Sequence, residues 1–488
     1  MPSNAFHDDF WPVGPFLYQR HQPENTLLYR LVIEHWPQFQ NTLAEQGRGL
    51  PDYVVREFEE YLKCGRLEHG FLRVQCETCH HEKLVAFSCK RRGFCPSCGS
   101  RRMADSSAHL VDEVLPKRPI RQWVLSVPFP LRYLFATNPQ VMSRVLTIVH
   151  RVISTFLIKR SGRKVKSGVQ SGAVTLIQRF GSALNLNLHF HMLYLGGVYD
   201  SKGYFWPVRP PAPEDLDKVT YTIAKRVSRY LERAGYLYRD AESEYLDLVS
   251  GEEDAMHDII GASITYRLAF GSNASKKALT LQAVPVSDKR GTQSKLVSKQ
   301  AGFSLHAGVA CKSNQRKKLE RLCRYVTRPA ISEQRLSLAS NGNVIIALKT
   351  PYDDGTSHVV LSPMEFMGRL AALVPKPRVN LTRFHGVFSP NSKLREFVVP
   401  TRPEDEAVTL YRSGNKAYSM TWAQRLKRVF GIEIATCEKC GGKVKIIACI
   451  EDPEVIERIL KHLGLDEASQ IRNRSPPTGL FEYSGQLF

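Results

Sequence analysis

LNLNLHFHMLYL, residues 184–195, decides how this chain is read. Leu184, Leu186, Leu188, Phe190, Met192 and Tyr194 are apolar, whereas Asn185, Asn187, His189 and His191 alternate with them. Side chains two apart leave a strand on the same side, so the segment predicts a strand with one dry and one polar face. His189 and His191 then stand side by side, where two imidazoles can grip one divalent ion. A strand in a basic protein can also carry histidines merely as its solvent face. The unbroken apolar row opposite, and the Asn-Leu-Asn-Leu lead-in, favour a site floor. Working outward, AVTLIQRF (173–180) is joined to it through Gly181-Ser182, which predicts a β-hairpin. If Phe180 pairs with Ala183, Gln178 lies opposite Asn185 on the histidine face, and a slip of one residue would put Arg179 there instead.

At 488 residues the chain exceeds one ordinary core and predicts roughly three or four domains. No uninterrupted apolar run looks long enough to cross a bilayer, and MPSNAFHDDFWPVG lacks the regions of a secretion signal, so a cytoplasmic location is expected. A net charge of +21 is more than solubility requires and suits a polyanion such as DNA or RNA. A membrane surface fits less well, because the basic residues are not confined to one amphipathic helix. Six of the eleven cysteines lie between Cys64 and Cys98, which in a cytosolic chain points to metal and not to disulfides.

The spacing predicts helices over 24–46 and 52–63, leading into CETCHHEKLVAFSCKRRGFCPSC. There Cys76/Cys79 and Cys95/Cys98 are separated by fifteen residues, the spacing of two knuckles around one tetrahedral zinc. Cys64, His69, His80, His81 and Cys89 are left over, either for a second zinc or, for the two cysteines, as small buried hydrophobes. Arg91, Arg92, Arg101 and Arg102 flank the second knuckle, so the module is expected to present a basic surface to phosphates; the plainer alternative is a structural zinc with a solvated rim.

Further on, a strand is predicted over Ile120 to Val127, helices over 139–158 and 214–236, and a β-rich region over 262–310 with ASITYRLAF, KALTLQAV and GFSLHAGVA as strands. A helix over 313–328 ends at Pro329, and VIIALKT and SHVVLS bracket a turn as a second hairpin. A helix over 363–373 and an acidic linker near 401–406 lead to a small module with Cys437 and Cys440, a single pair that by itself says little about metal. The expected fold class is α+β and multidomain. The expected divisions are N-terminal helices (1–63), a zinc-ribbon-like module (64–118), a central domain with an antiparallel sheet and flanking helices (119–335, with loops at 201–213 and 287–300), an extension (336–400) and a C-terminal module (401–488).

The 313–328 helix supplies the chemistry that two histidines on a strand need. Leu319, Leu322, Cys323 and Val326 form its apolar stripe, while Lys312, Arg316, Lys317, Lys318, Arg321, Arg324 and Arg328 face a single acid, Glu320. Tyr325 sits among these cations, where a phenol can attack a phosphodiester and store its energy as a phosphotyrosine. A packing tyrosine on an amphipathic helix is the bland alternative.

EFEEYLKCG, FSCKRRGFCPSCGSRRM, QRFGSALNLNLHFHMLYLGGVY, ERLCRYVTRP, DGTSHVVLSP and RFHGVFSPN together resemble the rolling-circle insertion-sequence transposases of the His-hydrophobe-His (HUH) endonuclease superfamily, in the family that begins with a zinc-binding domain. The resemblance runs from about residue 20 to 450. It implies His189 and His191 as metal ligands, Tyr325 as the attacking residue, and single-stranded or hairpin ends of the protein's own DNA element as substrate. Where relatives use two tyrosines four residues apart, this chain has Arg321 at the earlier position, so it resembles the single-tyrosine branch of common-region elements. Two imidazoles cannot fill the shell of Mn²⁺ or Mg²⁺, so a third ligand is expected, with Gln178 as the candidate and His306 and His385 in reserve. A plasmid replication initiator or relaxase would share this chemistry. A non-catalytic zinc regulator would explain the charge and cysteines but leave His189, His191 and Tyr325 without a role.

Overall fold

The computed structural model describes residues 22–239, 244–246, 255–271, 273–282, 296–400 and 436–465, with the backbone of two short strands at Phe16–Leu17 and Ile432–Glu433. The acidic linker near 401–406 and the C-terminal tail lie outside the described residues. The protein is α+β and multidomain, and its chain forms two compact units that do not follow the expected divisions. The larger contains Thr26–Leu62 and Lys90–Gly431, the smaller Lys63–Cys89 together with the described parts of Met1–Asn25 and Ile432–Phe488.

In the larger unit a fully antiparallel sheet is centred on Leu186–Leu195, the histidine strand. Its neighbours are Ile120–Ser126 and Gly172–Phe180; beyond them lie Phe303–His306 and Val297–Gln300 on one side and Thr382–Gly386 on the other. Leu186, Leu188, Phe190, Met192 and Tyr194 are all buried, as the alternation predicts. Trp123 meets Tyr194 and Phe156 edge to face, and Phe135 packs on Phe190. Each such side chain contributes about 1.5–3 kcal/mol by burial, so turning the strand over would expose the apolar row and is strongly disfavoured.

The hairpin differs in detail from the sequence reading. Gln178 pairs with His189, not Asn185, because the loop spans Gly181 to Asn185 and a bulge at Arg179 shifts the register. The partner has moved by four residues, an even number, so Gln178 keeps the histidine face. Gly181 suits this loop because a Cβ there would run into the Asn185 side-chain amide. Arg179 leaves the sheet and donates to the carbonyls of Ala372, Leu373 and Val374, where the helix Pro363–Leu373 ends.

The polar face of the sheet is covered by the tyrosine helix, Arg316–Thr327. Its stripe of Leu319, Leu322, Cys323 and Val326 packs into one cluster with Val174, Leu176, Leu193 and Leu110. The helix Pro139–Arg160 is long and apolar enough to cross a membrane by length and composition, contrary to the sequence reading, yet Val141, Val145, Leu146, Val149 and Ile153 are buried in this unit. The segment ASITYRLAF is also not a strand. Ala255–Thr265 is a helix whose Met256, Ile259, Ile260 and Ile264 are buried at helical spacing, a period obscured when the run is read from Ala262. The N-terminal helices Leu27–Glu45 and Asp52–Lys63 are not a separate segment either: Trp36 stacks on Phe58 with centroids 4.1 Å apart, and Phe39 meets Phe270 of the larger unit.

In the smaller unit Val444–Ile450 pairs with Phe71–Cys76, which pairs with Glu82–Ala86, all antiparallel. The helix Pro453–His462 closes this sheet through Ile456 and Leu460 on Leu67 and Phe71. The C-terminal module is thus half of a zinc ribbon and not a domain of its own.

Candidate active site and zinc centre

His189 and His191 lie on the polar face with ring centroids 4.9 Å apart. Nδ1 of His189 donates to the Asn187 carbonyl at 2.8 Å, which leaves Nε2 with its lone pair, the arrangement that orients a metal-ligating imidazole. His191 stands between two amides: Gln122 Nε2 lies 2.7 Å from its Nδ1, and Gln178 Oε1 lies 3.3 Å from its Nε2. An amide can turn either its N–H or its oxygen to an imidazole, so Gln122 serves either tautomer. The 3.3 Å between Nε2 and Oε1 is close to the spacing of ~3 Å expected of adjacent ligands on an octahedral ion with bonds near 2.1 Å. The Asn187 side-chain oxygen is buried without a hydrogen-bond partner. This donor set fits a divalent cation, with His189, His191 and Gln178 as the residues that would hold it.

Burial lowers the pKa of His191 to about 2, helped by His189 and Arg328, and that of His189 to about 4, so both are neutral and able to ligate near pH 7. His385 is not a ligand. It stacks on His150 at 4.7 Å on the dry face, near Tyr194, whose hydroxyl lies 3.0 Å from His150 Nδ1. His306 shares the row of His191 but stands two strands away, with Val124 between them. Burial lowers the pKa of His150 to about 3 and of His385 to about 4. Four neutral imidazoles make a pH prediction. Unfolded histidine takes up its proton near pH 6.5 and these take it up lower, so their stability contribution is full above that pH and declines as pH falls through it. The melting temperature should drop by about 5 °C or more between pH 7 and pH 5. A flat profile would mean that these imidazoles titrate normally.

The tyrosine helix sets Tyr325 over this floor. Its ring is perpendicular to that of His191, at 89° with centroids 6.2 Å apart. Arg328 lies over the Tyr325 ring with Cζ 4.2 Å from its centroid, hydrogen-bonds its side chain, and donates to its carbonyl at 2.7 Å. Lys349 Nζ also lies 4.6 Å from that centroid, supplied by the hairpin of Val344–Ala347 and Thr356–Leu361 that the sequence predicted. Sequence reading missed Lys349, because nothing local marks a loop lysine that reaches a distant helix. Gln122 was legible in principle, as a polar residue within the buried strand IRQWVLS.

The basic residues of this helix divide by role. Lys317, Lys318 and Arg321 are exposed. Arg316 is not a phosphate contact, since it donates to the carbonyls of Val111, Leu115 and Pro116. Arg324 pairs with Glu320 at 2.6 Å. Arg102 binds the carbonyls of Lys90 and Arg91, and Arg92 that of Val379; Arg101 is half-buried.

The partners of the first cysteine pair differ from the sequence reading. Cys76 and Cys79 meet Cys437 and Cys440, not Cys95 and Cys98, and the four sulfurs lie within 4.8 Å of one another. Cys76–Cys440 and Cys79–Cys437 contacts are 3.4 and 3.5 Å, near the ~3.8 Å edge of a zinc tetrahedron with 2.3 Å bonds. N–H groups of Thr78, Lys439 and Gly442 point at Cys76, Cys437 and Cys440. A side chain at Gly442 would strike Thr78 and Cys76. The backbone N–H groups of Cys79 and Thr78 lower the pKa of Cys76 to about 6, while Cys79 is pushed up to about 12: the N–H of His81 favours its thiolate but is outweighed by Cys440, burial, Cys437 and Cys76. Four thiols this close compete for ionisation, and a divalent cation removes the conflict. His69 is not in this group. Cys64 and Cys89 lie together in the smaller unit, with Cys89 N–H 3.3 Å from Cys64 Sγ, and Cys95 and Cys98 are buried at the start of the helix Pro96–His109 in the larger one.

Four clustered thiols that could hold a metal ion, in a chain with a net charge of +21, suit a protein that works on nucleic acid, and the comparisons narrow this. Residues 172–395 match the family described as "Putative transposase", and residues 31–127 match the transposase zinc-binding domain of the IS91 type. The transposase for insertion sequence element IS801 of Pseudomonas savastanoi pv. phaseolicola is 23% identical over 415 residues, covering 84% of this chain and 86% of that protein. No solved structure matches. Both matched segments and the IS801 relative make the chain similar to the IS91-type transposases.

Proposed function

We propose that this transposase cuts and rejoins single-stranded DNA at the ends of its element, in rolling-circle fashion, with Tyr325 as the nucleophile. The observation that carries the reading is the placement of Tyr325 perpendicular to His191, above the His189–Gln178 floor and beneath Arg328 and Lys349. The two cations beside the ring would favour the approach of an anionic phosphodiester to the phenol. The Tyr325 oxygen, giving up its proton, bonds to phosphorus; the 3′ oxygen departs and becomes a hydroxyl, leaving a 5′-phosphotyrosine. Gln122 and the Asn187 carbonyl hold the two imidazoles in position. His189, His191 and Gln178 would hold Mn²⁺ or Mg²⁺, which would supply polarisation of the scissile phosphate and offset charge on the leaving oxygen. Such a protein works on DNA in the cytoplasm, at the nucleoid.

The test is a covalent adduct, resistant to denaturant, on single-stranded oligonucleotides drawn from the ends of the element, formed with Mn²⁺. No adduct on any end sequence would overturn the reading. In the same assay Gln178→Ala should lower the rate about tenfold at low Mn²⁺ and recover as Mn²⁺ is raised, because water can fill a vacated position in a hydrated shell. Superimposable titrations would remove Gln178 from the site.

A further inference from the structure

Arg91, Arg92, Arg102, Arg179 and Arg328 are among the residues that line a cavity of about 130 Å³. It is bounded by the helix Pro96–His109, the end of the strand Gly172–Phe180 and the segment that leaves the tyrosine helix, and Gln178 forms part of its wall. Among the described residues no carboxylate lines it. Glu57 interacts electrostatically with Arg91, Arg102 and Arg92, but it is buried on the Gly93 N–H at 2.6 Å and supplies at most one negative charge against five positive ones.

The arginines are anchored without being neutralised. Arg92 donates to Val379, Arg102 to Lys90 and Arg91, Arg179 to Ala372, Leu373 and Val374, and Arg328 to Tyr325, in each case at a backbone carbonyl, which carries no net charge. Arg91 differs, because its Nε is buried and has no hydrogen-bond partner. An unsatisfied buried donor costs about 1–3 kcal/mol, and more when charged, unless a ligand takes it up. The volume is that of about four waters, enough for one phosphate group and too little for a base pair. Guanidinium forks are the side chains best matched to phosphate oxygens.

We propose that this cavity holds one phosphate group of the single-stranded DNA, a linkage neighbouring the one that Tyr325 attacks. This rests on the single-strand reading above and adds a substrate-positioning site to it. Gln178 is the shared wall between the two, so a strand seated in the cavity passes directly to the histidine floor.

Binding is measured with full-length Tyr325→Phe protein, so that the oligonucleotide stays intact, while one neutral methylphosphonate linkage is stepped along an end-derived strand. One linkage should cost about tenfold in affinity, and in the Arg91→Gln background that same linkage should cost nothing. The slope of log K against log salt should also fall by about 0.7, one phosphate contact on a single strand. Ser106→Glu puts a carboxylate into the cavity while keeping every arginine, and it should erase the same linkage effect; Arg91→Lys should restore part of it. These two variants carry the test if Arg91→Gln fails to fold. Identical scans in all backgrounds, no sensitive linkage, or no binding to single strands would overturn the proposal. Adduct formation by the wild type is scored separately. A sensitive linkage without an adduct sinks the tyrosine reading and leaves the cavity, whereas an adduct without a sensitive linkage does the reverse.

Discussion

Tyr325→Phe is expected to abolish covalent capture of single-stranded DNA, by on the order of 10⁴-fold or more, while affinity for the same strand stays within about twofold. The substitution removes one oxygen and, with it, the side-chain hydrogen bond to Arg328. The phenyl ring can still pack perpendicular to His191 with Arg328 and Lys349 over it, so the positive charge beside the ring is preserved. Affinity is expected to come mainly from phosphate contacts spread over the basic surface, which a neutral and nearly isosteric change does not touch. The measurement is a pair of titrations, one of denaturant-resistant adduct and one of equilibrium binding. Persistent adduct in the variant would assign the nucleophile elsewhere, and a parallel loss of binding would make Tyr325 a structural residue of the tyrosine helix.

Cys437→Ser should cost one equivalent of bound zinc and unfold the smaller unit. The three-stranded sheet there is closed by Leu67, Phe71, Ile456 and Leu460, a small core for the strands it must hold. Apparent zinc-binding energies of about 10–16 kcal/mol in zinc-finger peptides match or exceed the ~5–15 kcal/mol stability of ordinary domains, so without the metal so slight a core is not expected to persist. Residues 63–89 should become protease-sensitive, although they lie some 350 residues earlier in the chain than the substituted cysteine. Cys95→Ser, the substitution that sequence spacing alone would choose, should leave this particular zinc in place. Unchanged zinc content or unchanged protease resistance in Cys437→Ser would show that Cys76 and Cys79 find their partners elsewhere.

What the residues by themselves determined are the features that follow from short-range periodicity. The alternation from Leu184 to Leu195 yields a half-polar strand without any tertiary information, because a pleated backbone sends neighbouring side chains to opposite faces. The amphipathic spacing of Leu319, Leu322, Cys323 and Val326 likewise yields the tyrosine helix and its buried stripe. Even Gln178 could be put on the correct face with the wrong partner, since the error in register was even. Tertiary structure alone decided what depends on meetings across the chain. Cys76 and Cys79 had two candidate pairs at hand, and the nearer one, at a familiar spacing, was not chosen. The sheet pairing of Phe71–Cys76 with Val444–Ile450 delivers Cys437 and Cys440 instead. Spacing constrains ligands only when one local loop carries them all, and a tetrahedron shared by two distant knuckles leaves no trace in either. Lys349 reaches Tyr325, and five arginines share one cavity, for the same reason: side-chain positions set by packing over long sequence separations are not written in any window of the chain.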